Sequence, residues 1–225
     1  MEKKNKIKFF INKIYHNIFI ESFSKKINFK FKENISRIDL IQKSIDKNNY
    51  KNYLEIGCDD NVNFNAIKVE NKIGVDPVSG GNYKDTSDNF FYKNTLNFDC
   101  IFIDGLHHYY QVRKDINNSL NCLENNGTIF VHDCLPKSKA HQAVPRYRSV
   151  WNGDVWKAIV ETRTRPDIET KTVLIDQGIA IIKKQKNNDI LKIKKNFSKL
   201  KFKDFYENHK KYMRIISYED SDNFL

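Results

Sequence analysis

Apolar residues recur at Ile7, Phe10, Ile11, Ile14 and Ile18, three or four positions apart, with lysines opposite. This period predicts an amphipathic helix over residues 7–20. Such a stripe packs on its own domain or a partner subunit more often than it lies on a membrane surface. Ile38, Ile41 and Ile45 predict a second helix over 36–47, ended by Asn48-Asn49, which tolerate a left-handed cap. From Tyr53 the period changes. Residues 53–57, 72–76, 98–104 and 127–133 read as short apolar strands ending in a glycine or an acid. Helix-forming stretches, notably 111–123, lie between them. That alternation predicts an α/β fold with a parallel sheet buried on both faces. Residues 172–175 and 179–182 flank Asp176-Gln177-Gly178 and predict an antiparallel hairpin with its glycine at positive φ. Phe202, Phe205, Tyr206, His209 and Met213 predict a last helix in a lysine-rich tail.

Composition narrows the class. With 40% hydrophobic and 13% aromatic residues, the 225-residue chain is not disordered. Its length suits one domain with appendages. No apolar run approaches the ~20 residues of a bilayer span. Lys8, Lys13 and His16 interrupt the N-terminal apolar residues, so no secretory signal is expected. The net charge of +11 is uneven. Residues 1–50 hold twelve basic and five acidic side chains, residues 51–186 eighteen and seventeen, and residues 187–225 nine and six. Basic flanks steer anionic partners, but a near-neutral centre without an RNA-binding module disfavours nucleic acid. Cys58, Cys100, Cys122 and Cys134 form no C-x-x-C pair, so no zinc site or disulfide framework is expected, and a cytoplasmic location is.

In an open parallel sheet, ligands bind beyond the carboxyl ends of the strands. Four strand ends here carry Glu55 with Gly57, Asp76, Asp104, and His132 with Asp133. Glu55 and Asp76 are one strand-helix-strand step apart, which sets Asp76 beside the first loop, where a carboxylate can accept both hydroxyls of a ribose. That loop, Gly57-Cys58-Asp59-Asp60-Asn61, lacks the G-x-G-x-x-G that brings amides to a pyrophosphate, and its acids would repel one. An acidic loop suits a cationic, phosphate-free cofactor such as S-adenosylmethionine.

Glu55-Ile56-Gly57-Cys58, Ile73-Gly74-Val75-Asp76-Pro77, the run from Asp99 through Asp104-Gly105-x-His107-x-Tyr109, and Gly127 through His132-Asp133 together resemble a class I S-adenosylmethionine-dependent methyltransferase. The third motif resembles the branch of small-molecule and sugar O-methyltransferases. The resemblance covers about residues 50–185. It implies a Rossmann-like seven-stranded sheet whose last strand is antiparallel, in a domain at 50–186 between a helical N-terminal extension at 1–49 and a basic C-terminal helical tail at 187–225. By position it implies that Glu55, Gly57 and Cys58 lie under the methionine part of the cofactor and that Asp76, followed by Pro77, holds the ribose. Ser87 and Asp88 fall near the adenine, and Asp104 near the transferred methyl. Asp59 and Asn61 replace later loop glycines of the family, although asparagine also tolerates a left-handed turn.

Methyl transfer to a hydroxyl needs an in-line geometry and a proton acceptor. His107, His108 and His132 are the candidates, His107 first, because it holds the histidine position of the motif. Asp104 and Asp133 are the acids that orient or join the catalytic group. Some relatives hold magnesium at such acids. Here Cys134 follows Asp133 where an oxygen ligand is expected, so magnesium is not favoured. Residues 145–157 follow the fourth strand, with Arg146 and Arg148 suited to a phosphate or carboxylate and Trp151 and Trp156 to a sugar ring; a buried tryptophan face is the competing reading. The expected acceptor is a small hydroxylated molecule, such as a sugar or nucleotide-sugar of a surface glycan (polysaccharide biosynthesis). An RNA methyltransferase and a non-catalytic cofactor-binding scaffold are the rivals. No membrane span is expected. Peripheral contact through the N-terminal helix and a homo-oligomer remain open.

Overall fold

The computed structural model describes residues 2–16, 18–19 and 24–225. Helix α1 (Glu2–His16) is followed by α2 (Arg37–Asn48). The start of α2 is fixed by Asp39, whose carboxylate accepts from both the amide and the hydroxyl of Ser36 at 2.8 Å. Asn49 ends it at φ 53, the left-handed cap expected from the sequence. Next come β1 (Asn52–Ile56), α3 (Val62–Ala66), β2 (Asn71–Val75), α4 (Ser87–Lys93), β3 (Phe98–Ile103), α5 (Tyr109–Cys122), β4 (Leu123–Val131), α6 (Trp156–Thr162), β5 (Ile168–Val173), β6 (Ile179–Lys184), α7 (Phe202–Met213) and β7 (Ile215–Ile216).

Among the described residues these strands form one seven-stranded sheet in the order β2-β1-β3-β4-β6-β5-β7. Strands β1 to β4 run parallel, and β6 is antiparallel to both β4 and β5. The antiparallel strand is therefore β6 of the expected hairpin. The last strand in the chain, β7, pairs parallel with β5 and comes from the tail. Tail residues Phe202, Phe205, Tyr212 and Met213 are buried in the core.

The sheet is covered on both faces because its strands are apolar on both. Leu54 and Ile56 of β1 join the cluster that packs under α5, α6 and α7. Tyr53, with Phe102 and Phe130, joins Leu40, Ile41 and Ile45 of α2 and Phe64 of α3 on the other side. With both faces occupied, α1 finds no place in the core. Ile7, Phe10, Ile11 and Ile14 are exposed, as is Ile18, so the stripe does not pack on its own domain. His16 stacks on Tyr147 of the domain, 4.0 Å between ring centroids.

Register fixes where the site lies. Ile56 pairs with Val75 and Ile103, Ile103 with Val131, and Val131 with Ala180. The residues that follow the parallel strands (Gly57, Asp76, Asp104 and His132) thus emerge along one edge. Because β6 runs the other way, the turn that precedes it, Asp176-Gln177-Gly178, emerges at that same edge.

Candidate active site

The first loop is built on backbone conformations rather than on glycines. Gly57 has φ +87, and a Cβ there would meet the Asp104 carbonyl oxygen at 2.4 Å, so only glycine lets the loop cross the end of β3. Asp59 and Asn61, the two departures from the family pattern, adopt φ 44 and 66 and take over the left-handed turns. Asp76 holds the loop in place. Its Oδ2 accepts from the amides of Cys58 and Asp59, each at 3.1 Å, and its Oδ1 from those of Val78 and Ser79 at 2.8 and 2.9 Å. Burial works against the charge, but these four donors outweigh it and hold Asp76 below the usual carboxylate range. Pro77, Asp59 and Asp60 are exposed at the rim.

Glu55 lies beneath this loop, 1% exposed, and accepts from the Tyr53 hydroxyl and from Asn63 Nδ2, both at 2.6 Å. Burial pushes its carboxyl up to about 7, despite these two donors. Cys58 is buried, and burial drives its thiol up to about 12. Ser87 and Asp88 tie α4 to α5: both accept from Gln111 Nε2, and Asp88 also pairs with Lys114 at 2.6 Å.

Beside the loop lies an ionisable cluster. His107 Nε2 is 3.2 Å from Asp104 Oδ1, and its Nδ1 is 3.2 Å from Asp133 Oδ2 and 3.3 Å from the Trp151 carbonyl oxygen. His132 Nδ1 is 3.2 Å from the same Asp104 Oδ1 and 3.4 Å from Asp133 Oδ2, while its Nε2 lies 3.3 Å from Asp176 Oδ1. Burial opposes protonation of both imidazoles, but the facing carboxylates win. The Asp104 hydrogen bond and the charges of Asp133 and Asp104 raise His107, and Asp104 and Asp133 raise His132 well above its ordinary value. Burial likewise opposes ionisation of Asp104, yet the two imidazoles hold it far below the carboxylate range.

Two members of the cluster carry no signal in the local sequence. Arg37, the first residue of α2, reaches Asp104 Oδ2 through Nη1 at 2.5 Å and Asp176 Oδ2 through Nε at 2.8 Å. Asp176 comes from the hairpin turn, where it and Gln177 take φ 37 and 61. Asp133 also has a positive φ, 62, so left-handed non-glycine residues flank this site on several sides. The signal that could have revealed Asp176 is topological: an antiparallel strand delivers its preceding turn to the edge where parallel strands end.

The 145–157 segment divides. Asn152 Nδ2 donates to Asp133 Oδ1 at 2.9 Å, and the Trp151 ring stacks on His107, 5.1 Å between centroids and 20° from parallel. Arg146 is exposed, lies over Trp151 with its Cζ 5.8 Å from the ring, and donates to the carbonyls of Arg148 and Ser149. Arg148 is half-buried. Trp156 is 0% exposed, donates to Gln142 Oε1 at 2.8 Å and packs on Phe205. It belongs to the core and lines no substrate wall. His108 precedes α5 as its N-cap and meets Trp151 edge-on at 6.0 Å, outside the ion-pair cluster.

Asp104, His107 and Asp133 offer three ligand atoms within 4.8 Å of one another. The set suits magnesium poorly. One donor is nitrogen, and both Asp104 oxygens are already engaged by Arg37, His107 and His132. Cys134 turns away, its Sγ 3.1 Å from the Val131 carbonyl, with its thiol raised by burial.

Residues 30–134 match the family model described as a methyltransferase domain. No curated protein matches the chain by sequence. Among solved structures, the S-adenosylhomocysteine-bound methyltransferase PaMTH1 of Podospora anserina is similar at 17% identity with a TM-score of 0.50, over 66% of this chain and 77% of that one. Cofactor-bound Rv0187 from MTB is similar at 10% identity with a TM-score of 0.51, over 70% of this chain and 85% of that one. At these identities the structures establish a shared fold. Residues 30–134 thus match a methyltransferase domain, and the solved structures share the α/β methyltransferase fold, in keeping with the four motifs.

Proposed function

We propose that the chain transfers a methyl group from S-adenosylmethionine to a hydroxyl of a small acceptor, such as a sugar or nucleotide-sugar unit of a surface glycan. One observation carries this reading: His107, held between Asp104 and Asp133 and stacked under Trp151, stands at the strand edge where the Gly57 loop crosses the end of β3. A proton acceptor thereby adjoins a loop whose acids suit a sulfonium. The loop fits that cofactor: Gly57 keeps the crossing free of a side chain, and Asp59 and Asp60 give the rim negative charge.

When bound, the cofactor supplies an electrophilic methyl that leaves its sulfur as the new carbon–oxygen bond forms. The chain does the rest. His107 takes the acceptor's hydroxyl proton in its neutral state, and Asp104 and Asp133 orient the ring and stabilise the imidazolium that results. Trp151 covers the site and offers an apolar plane to a sugar. Asp76 keeps the cofactor loop in shape, with the ribose hydroxyls as its further partners. Four free, buried cysteines suit a cytoplasmic setting. No helix of the described residues is long and apolar enough to cross a membrane. The exposed stripe of α1 suits peripheral contact with an acidic bilayer, which vesicle co-sedimentation with and without residues 1–19 would test.

The deciding experiment combines calorimetry with S-adenosylmethionine and transfer of labelled methyl to a panel of sugars and nucleotide-sugars. Binding together with labelled, alkali-stable ether product is expected. A folded chain that fails to bind the cofactor would overturn the reading.

A further inference from the structure

We propose that Arg37 is the built-in cation of the acidic cluster and takes the charge-balancing role that a divalent metal would otherwise fill. This rests on the methyl-transfer reading above for its catalytic meaning, though not for its first test. Arg37 enters from a helix outside the parallel strands, and its position is set by the Ser36–Asp39 contacts at the start of α2. Its guanidinium bridges two carboxylates that arrive from different elements, Asp104 after β3 and Asp176 in the β5–β6 turn. The Arg37 amide donates to Asp176 as well, at 3.1 Å. Asp104 Oδ1 is shared by His107 and His132, so Arg37 on Oδ2 completes the set of partners around that carboxylate.

An ion bound by Asp104, His107 and Asp133 would have to break the histidine contacts and sit beside a fixed positive charge. Guanidinium stays charged across the physiological range, unlike imidazole, and its forked donors match two carboxylates at once. Arg37 is thus a positioning residue. It locks Asp104, and Asp104 in turn orients His107. The three carboxylates of the cluster (Asp104, Asp133 and Asp176) are balanced from within the chain.

The test uses the full chain with Mn²⁺, which accepts both oxygen and nitrogen ligands, followed by electron paramagnetic resonance and calorimetry. The wild type is expected to hold no stoichiometric Mn²⁺. Arg37→Gln is expected to gain affinity by roughly a hundredfold, the scale set by removing one nearby like charge at an effective protein dielectric. Arg37→Lys should stay near the wild type. A wild-type Mn²⁺ site that Asp104→Asn abolishes would overturn the proposal. So would an Arg37→Gln variant that gains nothing, or an Arg37→Lys variant that gains as much. Should Arg37→Gln fail to fold, the wild type alone decides, by the presence or absence of an Asp104-dependent site. S-adenosylmethionine calorimetry on the same samples keeps the two readings apart. Loss of cofactor binding in the wild type defeats the methyl-transfer reading, whereas Mn²⁺ uptake defeats the role of Arg37.

Discussion

Asp76 and Asp104 stand at matching positions, one residue past β2 and one past β3, and they are held in opposite ways. Four backbone amides grip Asp76. Arg37, His107 and His132 surround Asp104. Backbone dipoles do not titrate and cannot move without the fold, so Asp76 makes a fixed loop. Ionisable side chains respond to pH and to ligands, which under the proposed function suits Asp104 to a place where protons are exchanged. Two acids with the same register are thus held by different kinds of donor, which the proposed function reads as a division between scaffold and chemistry.

The largest effect should come from the chemical side. His107→Ala is expected to lower turnover by about 10²–10⁴-fold, the usual worth of a general base. Cofactor affinity by calorimetry should be spared, because no Asp76 contact is touched. Wild-type rates in this variant would pass the role to His132.

Asp76→Ala should act on the other side. Hydrogen bonds to a charged acceptor contribute about 1.5–3 kcal/mol each, and four amides lose their partner together. A loss of cofactor affinity of roughly a hundredfold is expected, equivalent to about 2.7 kcal/mol, together with a lower melting temperature. Unchanged affinity would remove Asp76 from the cofactor site and break the contrast.

The pH profile sharpens it. His107 must be neutral to accept a proton, and its neighbours raise its pKa above the ordinary 6.5. kcat/KM should therefore climb tenfold per pH unit until it levels off above pH 6.5. Asp104→Asn removes the charge that favours the imidazolium, so the rising limb should shift to lower pH, by about one unit. Asp76→Asn should leave the limb where it is. A shift of equal size in both variants would mean that the two acids are not divided as described.

Much of this was legible in the sequence, and what was not has a physical pattern. The strand ends could be read because an apolar run followed by an acid is a local signal, and parallel register then aligns Gly57, Asp76, Asp104 and His132 with no further information. Asn61 and Asn49 could be read because left-handed turns select few residue types. Arg37 could not. It is 67 residues from Asp104 and lies on a helix whose lysines and arginine look alike from the pattern of isoleucines. Asp176 was read as part of a turn, since only the antiparallel placement of β6 next to β4 brings that turn to the site. The α1 stripe predicted a helix correctly, but periodicity does not say what covers it, and the sheet had no free face to offer.

The two tryptophans of the 145–157 segment supply the smallest and sharpest test, because sequence alone could not say which of them faces the core. Trp156 is enclosed by the core and hydrogen-bonded to Gln142; Trp151 is partly exposed and stacked on His107. Trp156→Phe shrinks a packed side chain and orphans the Gln142 acceptor, which should cost about 1–3 kcal/mol of stability and leave KM for the acceptor unchanged. Trp151→Phe keeps an aromatic plane over His107 but loses area and its hydrogen bond to the Ala143 carbonyl. It should alter acceptor KM severalfold while moving the unfolding midpoint by less than Trp156→Phe does. Denaturant melts and acceptor kinetics on the pair would read both effects. If Trp156→Phe raised KM and Trp151→Phe did not, the acceptor would have to bind on the α6 side, and the cluster at Asp104 would lose its claim to the reacting hydroxyl.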